Sequence, residues 1–204
     1  MTERASMSVK QRILDCALNE LARAGAQGFS LRAVAVAAGI TPMAIYRYFG
    51  NREELLFAAG EAAFATWLRR VEAIREQGAL DWLRRVGQAY IEFALDEPAH
   101  FDACFVIRTR VERLYPKDFE AGLSPVIAMV TERIAIAQAG SRLRAGNPLE
   151  FALFYWAELH GLALLHRSGR FAMERPAFLA LTNRSVDRML NDAAAGEETP
   201  ARSS

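Results

Sequence analysis

Residues 28–50 read GFSLRAVAVAAGITPMAIYRYFG, and this stretch limits what the chain can fold into more than any other. Leu31, Val34, Ala35 and Ala38 recur on one helical face, with Ser30 as a good N-cap before them and Gly39 as a stop after them. Only a few residues later Thr41 can accept the first free backbone N–H groups of another helix. Pro42 suits the first position of that helix, because its missing N–H would have no partner there. Ile45 and Phe49, four apart, then face inward, leaving Met43, Ala44, Arg47 and the tyrosine hydroxyls of Tyr46 and Tyr48 outward. Upstream, a helix from about Ser8 to Ala24 carries an apolar stripe of Ile13, Leu14, Ala17, Leu18 and Leu21, and Gly25 stands at its cap position. Two short helices joined by a glycine-containing turn and packed on a third make a helix-turn-helix pattern.

Helical periodicity continues to the end, and no alternating strand segment interrupts it, so the fold class is all-α with about nine helices. Asn51 opens a long helix reaching Gly78, with Glu54 placed to complete a capping box. Five further helices are expected over about 80–95, 98–106, 118–139, 148–167 and 176–194. Pro98, Pro125, Pro148 and Pro176 lie at or near helix starts, although Pro125 can instead kink a helix that begins at Asp118. Segment 108–118 reads as a charged loop or a poorly formed helix. The organisation expected is a helix-turn-helix domain over 8–56, a larger helical domain over 57–194, and a disordered tail over 195–204.

With 52% hydrophobic and 24% charged residues, the chain can bury a real core. Cys16 and Cys104 lie far apart and form no metal-binding or redox spacing, so both are expected as buried free thiols in a reducing cytosol. The polar start MTERASMSVKQR is unlike a signal peptide, and no apolar run reaches the ~18 residues of a membrane span. A cytoplasmic protein with no membrane association, no metal site and no cofactor is expected. His100, His160 and His166 share no ligand spacing with Cys, Asp or Glu.

A net charge of +1 says little, but its distribution says more. Between Glu20 and Glu53 there is no acidic residue, while Arg23, Arg32, Arg47 and Arg52 all fall in that gap. A polyanion would meet a positive field there without opposing carboxylates. Thr41, Pro42, Met43, Ala44 and Arg47 supply the leading surface of the second helix, the one that enters the major groove in a helix-turn-helix unit. Arg47 is the candidate base reader, since a guanidinium can grip guanine in bidentate fashion, worth ~1–3 kcal/mol. Arg32 can reach a base or a phosphate, Met43 and Pro42 can pack on a thymine methyl, and Tyr46, Tyr48 and Arg52 can donate to phosphates. Free N–H groups at the helix starts at Ser30 and Asn51 suit phosphate oxygens as well. For each residue taken alone, a solvated charge or a half-buried tyrosine is the competing reading.

The capped helix, the Ala-Gly turn, the Ile-Tyr-x-Tyr-Phe run and the following basic residue with Glu-x-Leu carry a resemblance. In GFSLRAVAVAAGITPMAIYRYFGNREELL, residues 10–56 resemble the DNA-binding domain of the TetR (tetracycline-repressor) family of bacterial regulators. Two departures are Arg52, where the family usually has lysine, and Met43, at a position often held by a small residue. The resemblance implies that the chain beyond residue 57 forms a ligand pocket and a dimer surface. Trp156, His160 and Gly161 are also similar to the Trp-x-x-x-His-Gly signature of one TetR subgroup. Pocket residues can be nominated as Trp67, Phe93, Phe101, Cys104, Phe105, Phe119, Met129 and Phe154, ordinary core being the alternative for each. His160 can be a polar anchor in that pocket, a pH-sensitive switch, or a histidine bonded within a helix interface. Ala157, Gly161, Leu164 and Ser168 line one helix face whose small residues allow close approach. The last two helices are therefore candidates for a four-helix bundle with a second copy.

The implied function is a dimeric transcriptional repressor, released from a palindromic double-stranded DNA operator by a small apolar or aromatic inducer. Two recognition helices would then sit about one DNA turn, ~34 Å, or more apart. An activator of the same family, a helical enzyme with an accessory DNA-binding domain, and a constitutive architectural DNA binder are the alternatives. No nucleophile-and-base motif or paired carboxylate marks an active site, so the chain is not read as an enzyme.

Overall fold

The computed structural model describes residues 8–109 and 112–194, and within them ten helices and no β-strand. The helices are α1 (Val9–Gly28), α2 (Leu31–Ala38), α3 (Pro42–Ile45), α4 (Arg52–Glu72), α5 (Ala79–Asp96), α6 (Pro98–Phe105), α7 (Lys117–Glu120), α8 (Pro125–Ala139), α9 (Pro148–Arg167) and α10 (Arg175–Asp192). The expected tail, 195–204, lies outside the described residues. No helix among the described residues is long and apolar enough to cross a membrane.

The chain divides into two compact units, Met1–Arg70 with Asp96–Arg113 and Val71–Leu95 with Leu114–Ser204. In the first, α1 packs on α2 and α6, and α2 on α3. Ile13, Ala17, Leu18 and Leu21 of α1 are buried with Val34 and Ala35 of α2, Ile45 of α3 and Phe101 of α6. Ser8 Oγ accepts from the Gln11 N–H to start α1, and Gly25, at φ +66°, breaks its helical geometry where the stop was expected. In the second unit α9 packs on α8 and α10. Gly87 of α5 lets that helix come close: a Cβ there would stand 2.6 Å from Tyr155 Oη of α9 and 3.0 Å from Val186 Cγ2 of α10.

Three boundaries differ from expectation. A single helix over 118–139 is replaced by α7 and α8, because Gly122 takes φ +70° and Pro125 opens a new helix instead of kinking an old one. That break accounts for the tenth helix. The helix expected to reach Gly78 ends at Glu72. The recognition helix, expected to carry Phe49 on its inward face, ends at Ile45 and continues in tight turns, with Arg47 N–H donating to Ala44 O and Phe49 N–H to Ile45 O. Finally, Cys104 is buried as expected, whereas Cys16 is only half-buried.

Candidate nucleic-acid interface

Three local caps set the geometry of the helix-turn-helix. Ser30 Oγ accepts from Ala33 N–H at 3.3 Å, and Thr41 Oγ1 accepts from Ala44 N–H at 3.2 Å. Between them Gly39, at φ +68°, donates its N–H to Ala35 O and Val36 O and turns the chain sharply. At α4, Asn51 Oδ1 accepts from Glu54 N–H while Glu54 Oε2 accepts from Gly50 N–H, a reciprocal capping box. The N–H groups of Gly50 and Glu54 at this helix start are thus already engaged.

Two charged residues brace this frame from inside. Glu20, only 7% exposed, accepts two hydrogen bonds from Arg23 at 2.8 Å and one from the Ser30 backbone N–H. Those donors, the Arg23 bonds first, hold its carboxyl below the ordinary range. Arg23 is therefore half of an ion pair and not a free charge facing outward. Arg52 also departs from expectation. Its guanidinium donates to the Ala26 and Phe29 carbonyls, lies over the Phe29 ring at 5.6 Å, and approaches Glu53. It ties the start of α4 to the last turn of α1 and to Phe29 just beyond it.

The outward surface left by this frame carries the remaining nominated residues. Arg32, Thr41, Pro42 and Arg47 are exposed, as are Met43 (74%), Tyr46 and Tyr48, with Ala44 intermediate between them. Among the described residues neither Arg32 nor Arg47 has an ion-pair partner. Ile45 and Phe49 are buried on the opposite side, and Lys10 lies over the Phe49 ring at 5.7 Å. Unpaired guanidiniums on both sides of a small, polar-led helix suit a polyanion with readable edges.

The second unit holds a different cluster, part-buried and made of rings. Trp156 Nε1–H donates to Tyr90 Oη at 3.1 Å, and Tyr90 Oη bonds His160 Nδ1 at 2.9 Å. Phe119 of α7 stacks on Trp156 with ring centroids 6.3 Å apart. Burial lowers the His160 pKa below its usual value and favours the neutral imidazole. Of the nominated pocket residues, Phe93, Phe119, Met129 and His160 belong to this unit, Phe93 fully buried and the other three partly. Trp67, Phe101, Cys104 and Phe105 belong to the first unit, where Phe105 meets Phe64 edge-on at 5.7 Å and Phe101 at 5.2 Å. Burial pushes the Cys104 thiol far up, so it is a thiol and not a reactive thiolate. Phe154 does not sit in an interior pocket: it is 68% exposed, on an open groove of about 940 Å³ between α9 and α10. On α9, Ala157, Leu164 and Ser168 are exposed and Gly161 partly so, one continuous uncovered stripe.

Comparison with known families now decides the lineage. Residues 13–59 match the model of bacterial regulatory proteins of the tetR family, and residues 83–193, more than half of the chain, match the tetracyclin repressor-like C-terminal domain. The chain belongs to the TetR family. None of the curated proteins matches it in sequence. Solved structures share the TetR-family fold at low identity. A protein of unknown function from Rhodococcus sp. RHA1 aligns at TM-score 0.72 and 24% identity over 95% of this chain and 100% of its own. The fatty acid degradation regulator FadR from Bacillus halodurans aligns at 0.71 and 13% identity, over 95% and 98%. AibR, solved with isovaleryl coenzyme A and operator DNA, aligns at 0.66 and 18%, over 93% and 100%.

Sequence reading missed Tyr90 and Glu20 in this TetR-family chain. Tyr90 lies seventy residues from His160, and no spacing signal connects residues on separate helices. Glu20 was readable only as the edge of an acid-free gap, although its i,i+3 spacing to Arg23 is an ion-pair signal.

Proposed function

We propose that the protein is a dimeric transcriptional repressor that reads a palindromic double-stranded DNA operator and leaves it on binding a small apolar or aromatic ligand. Residues 8–56 carry DNA reading, and 57–194 carry the ligand site and the dimer surface; the chain works in the cytoplasm and catalyses nothing. The observation that carries this reading is the pair of exposed, unpaired guanidiniums, Arg32 and Arg47, around the Thr41–Ala44 surface of a capped helix in a TetR-family regulator. Ser30 and Thr41 set the two helices, Arg47 and Met43 face bases, and Tyr46, Tyr48 and Arg32 reach the backbone. Arg52 holds the frame and offers phosphates what its carbonyl bonds leave free.

The ligand site we assign to the second unit, around Trp156, His160 and Phe119, with Phe93 and Met129 as further apolar candidates. Rings whose polar groups, an indole N–H, a phenol and an imidazole, are already bonded to one another favour a mostly apolar ligand with few hydrogen-bonding functions. That AibR holds isovaleryl coenzyme A and operator DNA, and that FadR regulates fatty acid degradation, supports a ligand with an acyl chain. The uncovered α9 stripe of Ala157, Gly161, Leu164 and Ser168, together with α10, is the proposed contact with a second copy.

Retention of genomic DNA fragments on the purified protein, followed by sequencing, tests the DNA reading. Enriched fragments sharing a symmetric motif are expected, and retention without any shared motif would overturn it. Adding an inducer should weaken operator affinity roughly 5–150-fold, a coupling of ~1–3 kcal/mol.

A further inference from the structure

Val36 is an exposed apolar residue that neither the fold nor the basic surface accounts for. It is 74% exposed in the last turn of α2, and Met43, in the first turn of α3, is exposed to the same extent. These are the two most exposed of the large hydrophobic side chains among the described residues. Folding gives no reason for a valine there: a β-branched residue on an exposed helix position forms helix less well than alanine. The surroundings restrict what can cover the pair. Arg32 lies one helical turn before Val36 on the same face of α2, and Arg47 lies four residues beyond Met43. Neither guanidinium has an ion-pair partner among the described residues, and no acidic residue stands between Glu20 and Glu53. An apolar protein surface would leave both cations without counter-charge. A duplex offers negative phosphates on both sides of the major groove and, inside it, one protruding apolar group, the C5-methyl of thymine.

We propose that Val36 and Met43 form one apolar reading surface for thymine C5-methyl groups, which makes Val36 a specificity-determining residue of the bracing helix. This rests on the DNA-reading function above and adds the base it selects and a second element that selects it. The two side chains come from helices that pack on each other and are joined by the Gly39 turn, with Ile40 N–H donating to Ala35 O. Arg47 would then select guanine beside them, and the preferred half-site would combine a guanine with one or two thymines.

The test begins with duplexes selected from a random pool by the full-length protein. Each thymine of the enriched motif is then replaced by uracil, which keeps every hydrogen-bonding group and removes only the methyl. One or two positions per half-site should each lose about fourfold in affinity, the effect of withdrawing one buried methyl-sized group. Val36→Ala, which favours the helix, and Met43→Ala should each bind the uracil and thymine duplexes equally at the position they read. Val36→Ala should lose no more than a few-fold in affinity for the parent duplex. A motif that tolerates uracil everywhere, or variants that keep full discrimination against uracil, would overturn this proposal while leaving the regulator intact. A pool that yields no enriched motif would overturn both.

Discussion

The two compact units treat their polar groups in opposite ways. On the surface around Thr41, guanidiniums, hydroxyls and even large apolar side chains are held out toward solvent by a frame of short-range caps. Around Trp156, the indole N–H, the phenol and the imidazole are turned inward and bonded to one another. An exposed set can meet a large charged partner without desolvating in advance. A part-buried set with its hydrogen bonds already made could take a new polar partner only by exchanging one of them. The contrast sets an exposed basic surface against a part-buried cluster of rings, and the two can be probed by separate substitutions.

Gly87→Ala should have the largest effect, and on stability alone. The new Cβ would press on Tyr155 Oη, which is fixed by donating to Leu83 O at 2.5 Å, and on Val186. Overpacking of this kind costs about 3 kcal/mol, or roughly 6–12 °C in thermal midpoint for a chain of this size. Calorimetry checks the loss; specific DNA affinity measured well below the midpoint should be unchanged. A variant as stable as the parent would show that the α5, α9 and α10 packing is looser than described.

Arg47→Ala comes next and acts on the other unit. Removing an exposed guanidinium should leave the midpoint within a degree or two yet weaken binding to the preferred duplex by about 2 kcal/mol, near thirtyfold. Thr41→Ala removes the N-cap of α3 and should cost about 1 kcal/mol, seen as a smaller drop in both midpoint and DNA affinity. Arg52→Lys tests the positioning role: a lysine keeps the charge but cannot reach two carbonyls and stack on Phe29, so stability should fall while the salt dependence of binding stays close to that of the parent.

The smallest effect is on pH dependence. Burial holds the His160 pKa below its ordinary 6.5, so as pH falls past 6.5 the unfolded chain takes up a proton that the folded one resists. Stability should decline there, and His160→Gln should flatten that part of the profile. Glu20 titrates lower. Its carboxyl is held below the ordinary 4.5 by Arg23, so its contribution is present above 4.5 and is lost as pH falls through the folded value. Glu20→Gln should flatten only this acid limb. Thermal midpoints measured across pH 3–8 (roughly the span of both groups) distinguish the two.

How much was legible follows from how far apart the interacting groups lie. The caps at Ser30 and Thr41, the stop at Gly39 and the inward pair Ile45 and Phe49 are signals within four residues, and the structure holds each of them. The carbonyl bonds of Arg52 were not legible because its partners lie twenty-three and twenty-six residues upstream. Tyr90 was missed because its role exists only once α5 and α9 lie side by side. That Phe154 lines an open groove rather than an interior one was not legible, because an apolar residue on a helix does not show which face of that helix is covered. The break between α7 and α8 depended on Gly122 adopting a left-handed φ, and a helical pattern on both sides concealed it.

The most direct test is the ratio of affinities of the full-length protein for its preferred duplex and for a scrambled one of equal length, at a fixed salt concentration of about 150 mM. A DNA-reading surface centred on Thr41–Arg47 predicts a ratio of at least about 10³, falling near thirtyfold in Arg47→Ala while binding to the scrambled duplex changes much less. A ratio near one, or a high ratio that Arg47→Ala leaves untouched, would contradict it.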